Sequence, residues 1–284
     1  MTSRNDKEVV NRAGIINWNE LWKVMRSSSV WRRTLDEPAG SFWDKRAKQF
    51  NESMMQNRER AEKQIAKIVL NPEYTVLDVG AGTGRLAIPV AKQVKSVTAI
   101  DPSKGMLACL QENMEKEDVE NITCINKRWE DLELGVDIEP HDVVIASHSL
   151  AMLDMQEALA KMDATAKKYV YVFTFAGRWM DGGLWEKIHG ETRPSWSDYI
   201  YLCNILHDMK IYANVEISDS DYEQRYKSLD EAVTKLKETY DMPSEKEEIL
   251  KEYLSEILVE DDGTGTLCLK RKSKSAMIWW ERNK

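Results

Sequence analysis

Between residues 75 and 175 the chain alternates short apolar runs with longer stretches of helical periodicity. TVLDV (75–79), SVTAID (96–101), NITCIN (121–126), HDVVIAS (141–147) and KYVYVFTF (168–175) read as strands. GRLAIPVAKQV (84–94), SKGMLACLQENMEKE (103–117) and MQEALAKMDATAKK (155–168) read as helices. Strands separated by helices pair in parallel, and a parallel sheet must be covered on both faces. Right-handed crossovers then give a doubly wound α/β sheet.

The flanks follow other rules. Residues 5–70 look helical; FWDKRAKQFNESMMQNRERAEKQIAKIVL carries apolar residues at helical spacing until Asn71-Pro72 stops it. This makes 1–70 an N-terminal helical cap region and 71–284 the main domain, with an insertion at about 176–260. Within the insertion, 176–212 is rich in Trp, Tyr and Gly, and 229–258 is charged and helical. The segment GTLCLKRKSKSAMIWWER reads as a β-hairpin whose LCLK and AMIWWE arms flank a polar turn.

The net charge of −8 makes a nucleic-acid partner an unfavourable expectation, because phosphate binding relies on clustered Lys and Arg. MTSRNDKEVV lacks a signal peptide's apolar core and no window suits a membrane span, so a cytoplasmic location is expected. Cys109, Cys124, Cys203 and Cys268 form no C-x-x-C pair, so neither a metal site nor a disulfide framework is expected.

VLDVGAGTGRL joins a strand to a helix through Gly80, Gly82 and Gly84, at the sheet edge where doubly wound folds bind ligands. Asp101 closes the next strand, 21 positions after Gly80, where a carboxylate can accept from both ribose hydroxyls. A nucleoside-containing cofactor follows, and two compete. A dinucleotide wants G-x-G-x-x-G; here the spacing is G-x-G-x-G, and Asp78 precedes the first glycine. A carboxylate there repels a pyrophosphate and attracts the ammonium and sulfonium of S-adenosylmethionine.

The order of these parts resembles the class I S-adenosylmethionine-dependent methyltransferases over roughly residues 43 to 175. VLDVGAGTG looks like the first motif, TAID the acidic second, RWED (128–131) the adenine-side segment and HDVVIASHSL the fourth-strand motif. The resemblance implies a seven-stranded sheet of order 3-2-1-4-5-7-6 with an antiparallel last strand. It also implies that Asp78, Gly80, Ala81, Gly82, Thr83 and Gly84 hold the methionine part. Asp101 would hold the ribose, with Pro102 and Met106 near the adenine, flanked by Trp129 and by Glu130 or Asp131. Ser147 and His148 would border the sulfonium. Helix packing alone would also account for Gly84, and the core for Trp129.

The cofactor supplies its own electrophile, so only a nucleophile that starts protonated needs a base. ASHSLAM lacks the Asn/Asp-Pro-Pro-aromatic motif of enzymes acting on amide or exocyclic amino nitrogens. His148 is the base candidate by position, or else a cofactor contact; His141 reads as a surface residue, and His189 and His207 lie in the insertion. Two segments could roof the site. One resembles an N-terminal element and offers Trp43 and Arg46; the other, 177–202, offers Trp179, Trp185 and Tyr199. A small-molecule acceptor is expected, with a protein or RNA acceptor or a nicotinamide oxidoreductase as alternatives. The oligomeric state stays open.

Overall fold

The computed structural model describes residues 15–28, 38, 40–55, 58–176, 186–187, 199–219, 222–240, 242, 244–261, 263, 265–271 and 273–282. Their contacts group into two compact units, Met1–Thr174 with Ser197–Glu216 and Ala276–Lys284, and Phe175–Trp196 with Ile217–Ser275.

The strands expected between 75 and 175 form: β1 (Thr75–Val79), β2 (Ser96–Ile100), β3 (Ile122–Ile125), β4 (His141–Ser147) and β5 (Ala166–Phe175). With β6 (Asn214–Asp219) and the last strand, β10 (Lys274–Glu281), they make a seven-stranded sheet of order β3-β2-β1-β4-β5-β10-β6. β1 pairs in parallel with β2 and β4, β2 with β3, and β4 with β5. β10 runs against β5, since Arg282 N donates to Lys168 O (2.7 Å) and Ala176 N to Lys274 O (2.9 Å). The family's strand order is thus present, with β10 in the place of the seventh strand.

Alternate residues of the central strands feed opposite cores. Leu77, Val79, Val144 and Ala146 pack with α1 (Trp18–Ser28), α7 (Met155–Thr165) and α8 (Tyr199–Asp208). Val76, Val143 and Ile145 pack with α4 (Arg58–Ile65), α5 (Ala87–Ala91) and Leu110 of α6 (Lys104–Lys116). Asp78 and Ser147 share the parity of this second set, so the strand pattern aims both polar side chains at the face α4 covers. α2 (Ser41–Asp44) and α3 (Ala47–Met55) pack on α6 through Trp43, Phe50, Ala47 and Met106.

The second unit holds a three-stranded antiparallel sheet, β7 (Tyr222–Tyr226), β9 (Thr266–Arg271) and β8 (Val259–Asp261), in that order. α9 (Leu229–Tyr240) and α10 (Glu247–Ile257) bury Val233, Leu236, Leu250 and Leu254 with Tyr226 and Leu269. The expected terminal hairpin is therefore corrected: both arms are strands, but β9 joins this sheet and β10 the seven-stranded one. α5 is also shorter than the helix expected over 84–94. The glycine loop takes the start, and Gln93 N bonds back three residues to Val90 O (2.8 Å), tightening its end.

Candidate active site

The loop after β1 is shaped by close approaches. Gly80 N and Ala81 N both donate to Ile100 O, at 2.8 and 2.9 Å. Gly80 has φ 74°, and a Cβ there would lie 2.3 Å from the Ser149 Cβ. Gly84 has φ 87°, and its Cβ would lie 2.2 Å from Leu110 Cδ1, so this glycine lets α6 close onto the loop. Thr83 is buried, with its carbonyl accepting from Asn113 Nδ2 (3.0 Å).

Two carboxylates flank the loop in unlike settings. Asp101 accepts from Gly82 N through Oδ2 and from Ser103 N through Oδ1, each at 2.9 Å. Burial raises its pKa against those two donors, and the charge of Asp44 adds to the rise. Asp78 is 3% exposed, and its carboxylate takes no hydrogen bond among the described residues. Burial pushes its pKa up to about 7, opposed by the Arg85 guanidinium and reinforced by Asp101.

A cleft opens above Val79, Gly80, Ile100 and Pro102. Gly40, Phe42 and Trp43 form one wall, Arg128, Trp129 and Glu130 a second, and Ser149, Ala151 and Met152 a third. The first wall is anchored by Asp44, whose Oδ1 accepts from Ser103 Oγ (2.6 Å) and Gly105 N (2.8 Å). The third is held from behind by α1. Trp22 Nε1 donates to Met152 O (3.0 Å), and buried Arg26 donates through Nε to Ala151 O (3.0 Å). Burial lowers the Arg26 pKa to about 10, with Glu130 opposing.

Of the residues singled out in the sequence, Gly80, Pro102, Trp43, Trp129 and Glu130 line this cleft. Trp129 also serves the core: its Nε1 donates to Ala158 O (3.1 Å) and the residue is 2% exposed. Asp131 is exposed and outside the lining, which favours Glu130 of the pair. Met106 lies buried beneath α2 and α3 rather than on the cleft. Arg46 turns away to stack 4.0 Å over the Phe42 ring and donates to Phe42 O (3.0 Å). Tyr199 packs at the start of α8 against the core instead of lining the cleft. Trp179, Trp185 and His189 lie outside the described residues.

On the α4 side of the loop sits a polar group that sequence reasoning met only in part. Arg85 reaches Gln64 Oε1 (2.5 Å) and Ser147 Oγ (2.7 Å). Arg60 NH2 lies 3.1 Å from His148 Nε2. A guanidinium only donates, so Nε2 is the acceptor and the imidazole proton belongs on Nδ1. Burial first, then Arg60 and Arg85, hold the His148 pKa well below the usual range. His148 has φ 54°, the left-handed region that non-glycine residues rarely occupy.

His141 is a correction. It is 8% exposed, at hydrogen-bond distance from Thr98 Oγ1 (2.8 Å) and Glu139 O (2.6 Å). His141 is the first residue of β4, paired with Ala166, rather than a residue before the strand. His207 is exposed beside Tyr212 and outside the cleft lining.

Residues 76–168 match the model of a family described as "Methyltransferase domain". An uncharacterised protein of Haemophilus influenzae is 30% identical over 248 residues, covering 84% of this chain and 88% of that one. A Methanocaldococcus jannaschii protein named "Probable cobalt-precorrin-6B C(15)-methyltransferase (decarboxylating)" is 37% identical over 68 residues, 24% of this chain and 37% of that one. In fold, the chain is similar to a protein of Bacillus halodurans C-125 assigned as a methyltransferase, with a TM-score of 0.54 at 15% identity, covering 79% of this chain and 99% of that one. Strand order, glycine loop and these matches converge: the chain belongs to the class I S-adenosylmethionine-dependent methyltransferases.

Proposed function

We propose that this chain transfers the methyl group of S-adenosylmethionine to a small-molecule acceptor. The observation that carries the reading is Asp78, a buried carboxylate with no hydrogen bond among the described residues, beside Gly80. The Arg85 charge acts on it without a hydrogen bond, and the ammonium of S-adenosylmethionine would supply a hydrogen-bonding cation where a pyrophosphate would be repelled. Asp101 fits the ribose end, since two of its roughly four acceptor positions are used by Gly82 and Ser103. Apolar Ile100, Pro102 and Met152 fit a flat base, and Glu130, which lines the same cleft, would accept from its amino group.

The cofactor, when bound, brings an electrophilic methyl on a sulfonium, and the chain's part is binding, orientation and exclusion of water. Asp78 and Asp101 fix the two ends. Trp43 and Phe42 keep one wall of the cleft apolar, and Ser149 stands over Gly80, donating to Val79 O. His148 serves as a neutral acceptor for Arg60 and shapes the end of β4. Its lowered basicity and engaged Nε2 suit it poorly to take a proton at neutral pH. An acceptor that needs little base assistance fits this site best.

The small-molecule part of the reading draws on the net charge of −8 and the apolar cleft wall, and on the archaeal relatives named for a precorrin substrate. The test is incubation of the protein with methyl-labelled S-adenosylmethionine and a cell extract split by size. Label should enter the small-molecule fraction. Label confined to protein or RNA would contradict the acceptor class.

A further inference from the structure

Lys161 of α7 does something the methyltransferase reading has not used. Its ammonium donates to three backbone carbonyls of one short turn: Trp129 O at 3.0 Å, Glu130 O at 2.7 Å and Leu132 O at 3.0 Å. All three N–H donors are thereby spent on neutral acceptors. The same ammonium lies 5.6 Å from the centre of the Trp129 ring. One turn earlier on the helix, Ala158 O accepts from Trp129 Nε1 (3.1 Å). α7 thus grips the 129–132 turn at two points, one through the indole and one through the peptide groups.

The gripped turn is a wall of the cleft. Trp129 and Glu130 line it from one side while their carbonyls point back at Lys161. Carbonyls converging on one point repel each other unless a cation sits between them. Without the ammonium the three carbonyls lose their shared countercharge, and a peptide plane that turns to relieve them carries Glu130 with it. Lys161 is half-buried and is not part of the cleft lining. From this geometry we infer that Lys161 is a positioning residue for cofactor affinity, acting through the Trp129–Glu130 turn on the adenine end of the bound nucleoside. The inference rests on the proposed S-adenosylmethionine site.

Calorimetric titration of the full chain with S-adenosylhomocysteine and, separately, adenosine tests it. The wild type is compared with Lys161→Gln, Glu130→Gln and the double variant, below the melting temperature of each. Lys161→Gln weakens both ligands by the same factor, roughly tenfold or more, because the damage is confined to the adenine end. In the double variant the Glu130 substitution then costs much less than it does alone, a coupling that a general loosening of the fold would not produce. Asp78→Asn is the contrast: it weakens S-adenosylhomocysteine and spares adenosine. If Lys161→Gln does not fold, Lys161→Arg carries the test: its donors lie in a flat fork that does not match three carbonyls meeting at one point, and both ligands should weaken equally. Wild-type affinity for both ligands in the folded variant overturns the inference. So does full additivity with Glu130→Gln. A wild-type protein that binds neither ligand overturns the cofactor reading itself.

Discussion

Asp78 and Asp101 are both buried carboxylates, yet only one has its charge met by backbone donors. The difference sets a pH dependence. With its pKa near 7 in the folded chain and near 3.8 in the unfolded one, Asp78 holds its proton more tightly when folded. Stability from this group therefore declines as pH rises between about 4 and 7, and the loss is complete above 7. Asn cannot ionise, so Asp78→Asn should be more stable than wild type at pH 8, by at most about 4 kcal/mol, and nearly equal at pH 4. Urea melts at both pH values check this, and S-adenosylhomocysteine affinity should fall roughly tenfold in the same variant. His148 works in the opposite sense. Its depressed folded pKa means the unfolded chain gains a proton that the folded chain refuses, so stability falls as pH drops below about 6.5. His148→Gln should flatten that slope by up to about 1.4 kcal/mol per pH unit, measured by melts at pH 5 to 7. Asp78, Asp101 and His148 could be singled out in the sequence because each lies at or just past the end of an apolar strand run. Arg60 was not, because its partnership with His148 joins residues 88 apart that only folding brings together.

Between elements, Gly84 is the clearest joint. A methyl group there would drive into Leu110 on α6 and into Ile88, at a left-handed φ. Gly84→Ala should cost about 2–4 kcal/mol, and adding Leu110→Ala should recover the steric part, leaving a non-additive cycle. α1 is a second joint: Trp22→Ala removes a buried ring and the bond to Met152 O, for about 3–5 kcal/mol by denaturant melts. The five core strands were legible because parallel pairing leaves them apolar on both faces. β6 was not, since Asn214, Val215, Glu216 and Ile217 are all exposed and give no burial pattern. The hairpin reading of the C-terminal segment failed for a related reason. AMIWWE buries Ala276, Met277 and Ile278 in succession, the mark of a strand covered on both faces, whereas a two-stranded ribbon would alternate. That continuity fits the place of β10 between β5 and β6.

At the scale of the molecule, the described cleft lies in the unit built on the seven-stranded sheet, and the N-terminal helices supply two of its supports. The residues proposed to hold the cofactor were singled out by their spacing along β1, β2 and β4. The supports were not, because Asp44, Arg26 and Lys161 act on backbone groups far along the chain and carry no motif. No helix among the described residues is long and apolar enough to cross a membrane. The proposed site is a nucleoside site whose carboxylates select a cation over a pyrophosphate. It is tested most directly by calorimetric titration of S-adenosylhomocysteine and NAD into the wild type and Asp101→Ala. S-adenosylhomocysteine should bind, Asp101→Ala should weaken it roughly tenfold to a hundredfold, and NAD should not bind. Binding of NAD with none of S-adenosylhomocysteine would contradict it.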